Sequence, residues 1–298
     1  MASNKNSSNQ MVVPEARAAM DRFKMEAAAD FGVSAPTKET FTTYRLTQGS
    51  IRCRRAGRMG LLYAIFPWCK KQRHSQPQTE GTNMLRKRLF RDGLYILEDD
   101  RVRQFLILGS DSALLIDTGF ADSHVADVIR EITDVPVTVI MTHGDRDHTG
   151  GLHDFGSCYL HQNDWHLVQQ DGVRLLPLRE GDVFCCGAYR LETVEFPGHT
   201  YGSVAFFDRE QRLLFPGDSV QKGGPIYMFG SHRNLPRYIE SLRKLSGWAD
   251  KVDTLLPCHH ACPIDPSYME KDLEDALALQ AGRLPGEKHP VMPCFTYQ

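Results

Sequence analysis

The segment THGDRDHTGG (142–151) carries four potential metal ligands within six residues, and it directly follows the apolar stretch VPVTVIMT (135–142). Neutral imidazole and carboxylate groups together suit Zn, Fe or Mn. The apolar stretch is predicted to be a buried strand, so the ligands are expected on the loop at its C-terminal end, where the sites of α/β proteins gather. A loop can turn all of these side chains inward, whereas a strand would point alternate ones outward. The four residues are His143, Asp145, Asp147 and His148.

Three later segments repeat one design, in which a potential ligand follows an apolar strand and a Pro, Pro-Gly or Pro-Cys turn. They supply His199 in FPGHTYGS, Asp218 in LFPGDSV and His259 in LLPCHHA. His260 is the alternative to His259. An isolated histidine is more typical of an ordinary surface or core position. Because ligands recur at the ends of successive strands, the sequence predicts one metal site that is assembled from several loops.

Residues 84–298 are predicted to alternate between strands and helices. The predicted strands cover 95–98, 104–109, 113–119, 135–142, 203–208, 212–218 and 252–257, and the predicted helices cover 121–132, 234–247 and 266–282. Strands followed by helices occur twice, which favours two sheets enclosed by helices. The predicted fold class is therefore α/β, in its α+β form.

Charge and composition divide the chain into three parts. Residues 1–51 begin polar and contain one amphipathic helical pattern over about 14–31. Residues 52–83 are basic, lack a clear periodicity and are predicted to be a disordered linker. From Arg52 to Arg91 there are eleven Lys and Arg against one acid, whereas residues 92–298 contain 18 basic and 31 acidic residues. This shift indicates segments of different origin or role.

The cysteines and the apolar runs argue against export and against membrane insertion. Cys258 and Cys262 form a CxxxC, which differs from the CxxC of common zinc and redox motifs. The longest apolar run, LLYAIFPWC (61–69), is internal and about half as long as a membrane span. We therefore expect a cytoplasmic protein with free thiols and no membrane association.

Residues 84–298 resemble a metallo-β-lactamase-fold hydrolase. The matching motifs occur in the order that is usual for the family, and they are LLIDTG (114–119), THGDRDHTGG (142–151), PGHTYGS (197–203), FPGDS (215–219) and LPCHH (256–260). The resemblance implies an αββα sandwich with two divalent metal ions at one edge of its two sheets. It also implies that Met84 stands where a free-standing hydrolase would begin.

The same resemblance implies two sets of ligands that share one bridging carboxylate, Asp218. The set for the first metal is His143, His199 and the residue at position 145. The set for the second metal is Asp147, His148 and His259. Behind the ligands, Asp117 and Thr142 would orient the ligand loop. No organic cofactor is implied.

Asp145 departs from the usual pattern of the family, HxHxDH, because this sequence reads HGDRDH. A carboxylate at this position is also similar to the diiron branch of the fold, HxExDH. A harder oxygen ligand makes Fe or Mn more acceptable at the first site, although zinc remains the first expectation. Asp145 either reaches the metal, directly or through water, or lies behind the ligands.

The family chemistry implied by these motifs is hydrolysis by a hydroxide held between two metal ions. The expected substrate is a small ester, thioester, lactone or related molecule, and Asp147 and Asp218 are the predicted catalytic residues. Substrate selection is expected in the segment QKGGPIYMFGSHRNLPRY (221–238), which also fits an ordinary packed loop. Its candidate residues are Tyr227, Phe229, His232 and Arg233. A diiron oxidoreductase-like protein is an alternative function, and the oligomeric state stays open.

Residues 2–51 resemble the first half of an α/β-type small acid-soluble spore protein, a family that coats DNA in spores of Firmicutes. The likeness covers 4–33 and continues through TTYRLTQGSI (42–51), but RCRRAGRMG follows where a second helix is expected. We therefore expect that two neighbouring reading frames have been joined, by fusion or by a frameshift near Ile51. A second alternative function is a DNA-associated hydrolase, in which the basic residues would add electrostatic affinity for DNA.

Overall fold

Apolar side chains on the central strands alternate between two layers of the protein. The computed structural model describes residues 63–65, 85–168, 170–288 and 294–297. Its strands are β1 (Tyr63–Ile65), β2 (Arg86–Arg91), β3 (Leu94–Glu98), β4 (Arg103–Leu108), β5 (Ala113–Ile116), β6 (Val137–Ile140), β7 (Ser157–His161), β8 (Arg174–Leu178), β9 (Val183–Cys186), β10 (Tyr189–Glu195), β11 (Val204–Asp208), β12 (Leu213–Phe215), β13 (Ile226–Met228), β14 (Thr254–Leu255), β15 (Gly286–Lys288) and β16 (Phe295–Tyr297). Its α-helices are α1 (Val125–Arg130), α2 (Arg146–Thr149), α3 (Leu235–Ser246) and α4 (Tyr268–Gln280), and 3-10 turns cover Ala121–Ser123, Leu152–Asp154 and Gln162–Leu167.

The strands form three sheets. The largest has the order β2-β3-β4-β5-β6-β7-β8, with β2 to β5 antiparallel and β5 to β8 parallel. A five-stranded sheet has the order β14-β12-β11-β10-β9, and a four-stranded sheet has the order β13-β1-β16-β15. The apolar motifs of the sequence lie on the two larger sheets, so these sheets build the core.

Three apolar clusters show how the layers stack. The first lies between the two larger sheets, where the rings of Phe105 on β4 and Phe215 on β12 meet edge to face at 5.1 Å. In the second, Phe207 points away from that interface and packs with residues of α3 and α4. In the third, Leu115 on the outer face of β5 packs with Ile129 of α1. The resulting order of helix, sheet, sheet and helix confirms the predicted αββα sandwich.

The strands predicted over 113–119, 212–218 and 252–257 are shorter in the structure, where they cover Ala113–Ile116, Leu213–Phe215 and Thr254–Leu255. Two further elements differ in detail. The strand predicted over 135–142 covers only Val137–Ile140, and Thr138 is exposed, so burial begins at Val139 and continues to Thr142. The buried end is the one that leads into the candidate ligands. The helix predicted over 121–132 is divided by His124, whose left-handed φ of 51° separates a 3-10 turn from α1.

Strand β1 lies within residues 52–83, the segment that the sequence predicts to be a linker. Its backbone pairs antiparallel with β13 and parallel with β16. The helix predicted over about 14–31 lies outside the described residues, as does the rest of the linker up to residue 84.

The helices that the structure describes are all too short or too polar to cross a membrane. The six cysteines in the same part of the chain carry free thiols.

Candidate metal centre

The seven predicted ligands fall into two groups of side chains at the ends of the central strands. In each group, the potential ligand atoms lie within 4.8 Å of one another. Site 1 consists of His143, Asp145 and His199, and site 2 consists of Asp147, His148, Asp218 and His259. The expected loop after β6 contains a single helical turn, α2, whose N-cap is Asp145. This turn separates the ligands so that Asp145 faces site 1, whereas His148 faces site 2.

Site 2 is built around the carboxylate of Asp218. His148 Nε2 lies 3.3 Å from Asp218 Oδ1, and His259 Nε2 lies 3.2 Å from Asp218 Oδ2. Asp147 Oδ2 is 3.1 Å from His259 Nε2 and 3.6 Å from His148 Nε2. Asp218 also faces site 1, because its Oδ2 lies 3.6 Å from His199 Nε2.

In site 1, one carboxylate oxygen faces two imidazoles. Asp145 Oδ2 lies 3.4 Å from His143 Nε2 and 3.4 Å from His199 Nε2. Both histidines are buried, whereas the Asp145 side chain is 17% exposed. The opening of the site therefore lies on the carboxylate side.

The spacing of these atoms fits divalent cations. Four donor atoms arranged tetrahedrally at about 2.1 Å from a zinc ion lie about 3.4 Å apart, close to the separations in both sites. The Nε2 atoms of His143, His148 and His199 and the Oδ1 atom of Asp218 are buried and have no hydrogen-bond partner. Because unpartnered buried polar atoms are costly, this concentration of them in one place supports a ligand between them. The fold and these two groups therefore support divalent metal binding, with the seven side chains as its candidate ligands.

Hydrogen bonds behind three of the imidazoles direct their lone pairs into the centre. His148 Nδ1 lies 2.9 Å from Asp117 Oδ2, and His259 Nδ1 lies 2.7 Å from the carbonyl oxygen of Arg101. Neither partner can donate, so each Nδ1 carries the proton and each Nε2 is left to face the carboxylates. The hydroxyl of Thr142 donates to Asp117 Oδ2 at 2.7 Å and lies 3.0 Å from His143 Nδ1.

Asp117 and Thr142 therefore lie behind the ligands, where the sequence analysis expects them. Asp117 is fully buried with a left-handed φ of 62°, and its Oδ1 accepts a hydrogen bond of 2.7 Å from the Thr142 backbone N–H. His260 belongs to neither ligand group, and its backbone oxygen accepts a hydrogen bond from Arg103. Cys258 Sγ lies 3.4 Å from Asp117 Oδ2, and burial raises the pKa of this thiol, which keeps its proton.

Asp164 is a residue of the centre that the sequence analysis missed. Its buried carboxylate accepts hydrogen bonds from the backbone N–H groups of Gly144 at 2.9 Å and Gly202 at 2.8 Å. It also accepts one from the hydroxyl of Thr200 at 2.5 Å. Asp164 thus ties the loop that carries His143 to the loop that carries His199. It lies in a 3-10 turn after β7, far from the ligand motifs, so nothing in its local sequence signals this role.

The charges of site 2 stabilise one another. Burial alone would raise the pKa of Asp218, but the charges of His259 and His148 outweigh burial and hold it well below its usual range. Burial alone would lower the pKa of His259, but Asp218 and Asp147 raise it to about 10. An imidazole that attracts a proton so strongly faces excess negative charge, and a cation would satisfy that charge equally well.

Site 1 contains its own cation, Arg233. Its Nη2 donates to Asp145 Oδ2 at 2.5 Å, and its Nη1 donates to the His199 carbonyl oxygen at 2.7 Å. Burial raises the pKa of Asp145, but the Arg233 charge and the two histidines outweigh burial and hold it well below its usual range. Burial and the Arg233 charge lower the pKa of His199 to about 4, so this imidazole is neutral at pH 7.

Of the other predicted substrate residues, Tyr227 and His232 interact with carboxylates of the centre. Tyr227 on β13 is 39% exposed, and its ring lies 5.8 Å from that of Phe229. Burial raises the pKa of Tyr227, with further contributions from Cys294, Asp147 and Asp218. His232 Nε2 lies 3.5 Å from Asp145 Oδ1. Arg233, the fourth candidate substrate residue of the sequence analysis, forms an ion pair with Asp145.

Two family models match the sequence. Residues 98–157 match the metallo-beta-lactamase superfamily. Residues 9–60 match the small, acid-soluble spore proteins of the alpha/beta type. The second match runs beyond residue 51, where the sequence analysis ends this resemblance, and it lies outside the described residues.

Curated relatives and a solved structure agree with the match to the metallo-beta-lactamase superfamily. The chain is 25% identical over 226 residues to acyl-coenzyme A thioesterase MBLAC2 of Gallus gallus, which covers 62% of this chain and 79% of that protein. It is 26% identical over 188 residues to hydroxyacylglutathione hydrolase of Bdellovibrio bacteriovorus, covering 61% of this chain and 65% of that protein. TTHA1623 in a di-iron-bound form shares the fold, with a TM-score of 0.51 and 20% identity, over 59% of this chain and 96% of that chain.

The sandwich of two sheets, the paired ligand groups and these matches agree with one another. Together they support an enzyme of the metallo-β-lactamase superfamily, in a chain that also carries a segment resembling small acid-soluble spore proteins.

Proposed function

We propose that this enzyme hydrolyses a small acyl thioester with the help of two divalent metal ions, zinc being the first expectation. The observation that carries the proposal is the pair of ligand groups that both face Asp218. When bound, two such ions supply Lewis acidity and lower the pKa of a water molecule. The remaining contributions come from side chains of the chain itself.

Asp147 is the proposed residue that orients the attacking water or relays its proton. Its side chain is 26% exposed, against 6% for Asp218, so it stands at the mouth of the centre. The charges of His148 and His259 outweigh burial and lower the pKa of Asp147, which keeps the carboxylate ionised and able to accept a hydrogen bond. Asp218 holds the two sites together as their common carboxylate.

The thioester class is supported by a relative. The Gallus gallus protein is named an acyl-coenzyme A thioesterase, and it matches this chain over 79% of its own length. Esters and lactones also contain an electrophilic carbonyl carbon, so the same chemistry can hydrolyse them. The aromatic side chains Tyr227 and Phe229 are the proposed contacts for the acyl group, because both lie on the segment that follows Asp218.

An activity panel on the full chain tests this proposal. We expect hydrolysis of acyl-coenzyme A thioesters, a loss of about 100-fold or more in kcat/KM for His148→Ala, and little change for His153→Ala. His153 is a matched control because it lies five residues away on the same segment but is 53% exposed and outside both sites. Full activity of His148→Ala on every substrate of the panel would contradict the proposal.

DNA association is a second candidate function, supported by the match of residues 9–60 to the spore-protein family. We expect the full chain to bind duplex DNA with an affinity that falls steeply with salt, because Lys and Arg release counterions from phosphates. Filter binding at 50 and 200 mM salt, about the range over which such contacts weaken strongly, measures this affinity. Undetectable binding at the lower salt concentration would exclude it.

A further inference from the structure

We propose that Arg233 makes the two metal sites unequal, so that site 2 takes a divalent cation tightly and site 1 takes one only weakly. This inference rests on the proposed metal-dependent function, and it concerns which of the two sites fills first. It assigns to Arg233 a role in metal loading instead of substrate binding.

One carboxylate oxygen of Asp145 faces both the metal position of site 1 and the guanidinium of Arg233. Asp145 Oδ2 lies 3.4 Å from both imidazole Nε2 atoms of site 1, which is the position of a metal ligand. That oxygen already accepts a charge-assisted hydrogen bond of 2.5 Å from Arg233 Nη2. A cation at site 1 must therefore compete with a guanidinium for the electron density of Asp145.

Arg233 is anchored beside Asp145. Its Nη1 donates to the His199 carbonyl oxygen at 2.7 Å, and its side chain is only 9% exposed. The next residue, Asn234, caps helix α3 through its side chain. An ion pair that is buried and held by a second hydrogen bond persists, unlike an exposed surface pair.

The two sites also differ in charge. The shared carboxylate of Asp218 lies 3.2–3.3 Å from the imidazoles of site 2 but 3.6 Å from His199 of site 1. The carboxylate that belongs to site 1 alone, Asp145, is matched by the guanidinium of Arg233. In site 2, two carboxylates, Asp147 and Asp218, face the imidazoles of His148 and His259. A divalent cation gains more from two carboxylates than from a neutralised one, and the fixed positive charge beside site 1 repels it.

An opposite role for Arg233 is also physically reasonable. A carboxylate oxygen has two lone pairs, so Arg233 could orient Asp145 for the metal, as partners behind metal ligands commonly do. In that case, removing Arg233 would weaken site 1, whereas our proposal predicts that it strengthens site 1. The two roles therefore make opposite predictions for one variant.

Zinc titration of the metal-free full-length chain by calorimetry, with cobalt absorption spectra as a second readout, distinguishes these roles. We expect the wild-type protein to show two steps whose dissociation constants differ by about ten-fold or more. His259→Ala should remove the tight step, and His199→Ala should remove the weak step. Arg233→Gln should tighten the weak step by about ten-fold, while Arg233→Lys, which keeps the charge, should leave it weak.

Arg237→Gln is the matched control, because Arg237 lies on the adjacent turn of α3 with its guanidinium 5.5 Å from the Tyr201 ring. It should leave both steps unchanged. Two equally tight steps in the wild-type protein would overturn the inference, even if the Arg233 variants failed to fold. A weaker site 1 in Arg233→Gln would also overturn it. Metal uptake in two unequal steps without hydrolysis would instead contradict the proposed function and leave this inference intact.

Discussion

Three histidine ligands of the metal centre each depend on a second residue that fixes the direction of the ring. The Asp117 carboxylate receives hydrogen bonds from His148 and from both the hydroxyl and the backbone N–H of Thr142. One side chain thus orients ligands on both sides of the centre, since Thr142 in turn contacts His143. Burial of an aspartate at this position is tolerated because its oxygens are satisfied.

Asp164 provides a residue-scale prediction. Asp164→Asn replaces one of the acceptor oxygens with a donor, so that Gly144, Thr200 and Gly202 no longer all find an acceptor. We expect a loss of about 1–3 kcal/mol in the free energy of unfolding. Because the two tied loops carry His143 and His199, zinc affinity should fall more at site 1 than at site 2.

Denaturant unfolding and zinc titration measure these two effects of Asp164→Asn. Asp154→Asn serves as the control, since the Asp154 side chain is 32% exposed and pairs with the neighbouring His153. An equal loss of affinity at both sites would contradict the assigned positioning role.

At the scale of elements, helix α3 presses against the loop that carries His199. A Cβ atom on Gly198 would lie 2.3 Å from Tyr238 Cα, and the Gly198 carbonyl oxygen accepts a hydrogen bond of 2.8 Å from the Asn234 N–H. The Pro-Gly turn before His199 is therefore needed for close approach to the helix. Its φ of 150° is a second reason for glycine.

Gly198→Ala should accordingly lower the free energy of unfolding by about 3 kcal/mol, because backbone and helix must separate. Gly247→Ala, at the end of the same helix, is the matched control: its nearest neighbour would be 3.8 Å away. Chemical denaturation of both variants checks the difference. Equal stability of the two variants would show that the loop can move away from α3 at little cost.

Helix α4 supports the centre from the other side. Asp272 Oδ2 accepts a hydrogen bond of 2.9 Å from the Gln221 N–H, and Gln221 Nε2 donates to the Asp218 carbonyl oxygen at 3.0 Å. Burial and the nearby Asp275 raise the pKa of Asp272 to about 8, although the Gln221 hydrogen bond and Lys271 act in the opposite direction. Near neutral pH, this buried carboxyl is therefore mostly protonated.

The raised pKa of Asp272 predicts a pH dependence of stability. The folded state holds the Asp272 proton more tightly than the unfolded state does. The stabilisation of the folded state by this proton is therefore complete below pH 4 and is lost as the pH rises to about 8. In the wild-type protein, the free energy of unfolding should fall by about a few kcal/mol over this pH range, and Asp272→Asn should abolish that fall. Thermal melts between about pH 5 and 9, which cover most of this window and pass its upper end, compare the variant with the exposed control Glu274→Gln. Parallel pH profiles of Asp272→Asn and the wild-type protein would contradict the prediction.

At the scale of the whole molecule, the metal centre joins the two halves of the sandwich. His143 and His148 follow a strand of the seven-stranded sheet, whereas His199 and Asp218 follow strands of the five-stranded sheet. Cations bound between these ligands link the two sheets only in the folded state. Stability should therefore depend on metal.

Metal removal tests this dependence. Zinc at about 100 times its dissociation constant stabilises the folded state by about 2.7 kcal/mol. For a domain of this size, the melting temperature should fall by roughly 5–10 °C on chelation and recover when zinc is restored. Scanning calorimetry with and without chelator measures the change, and identical melting curves would argue against a cation between the sheets.

Much of this architecture was predictable from local patterns. Apolar runs that end in Pro or Pro-Gly turns indicated both the strands and the ligands behind them, because strand periodicity and ligand chemistry are local properties. The αββα order followed from motifs that resemble one superfamily. The weakest element predictions were those in which burial changes along a strand or a residue such as His124 adopts a left-handed conformation, since both depend on neighbours distant in sequence.

The ligand types and their spacing, read along the chain, were sufficient to predict a metal site, and the resemblance of the motifs to one superfamily implied a metal-dependent hydrolase. They were not sufficient to predict the partners of Asp145 and the role of Asp164. Arg233 lies 88 residues from Asp145, and Asp164 lies 38 residues from Gly202. Such contacts arise only when loops from different strands meet at one sheet edge, and the charge balance of each site depends on them because charges interact through space and not along the chain.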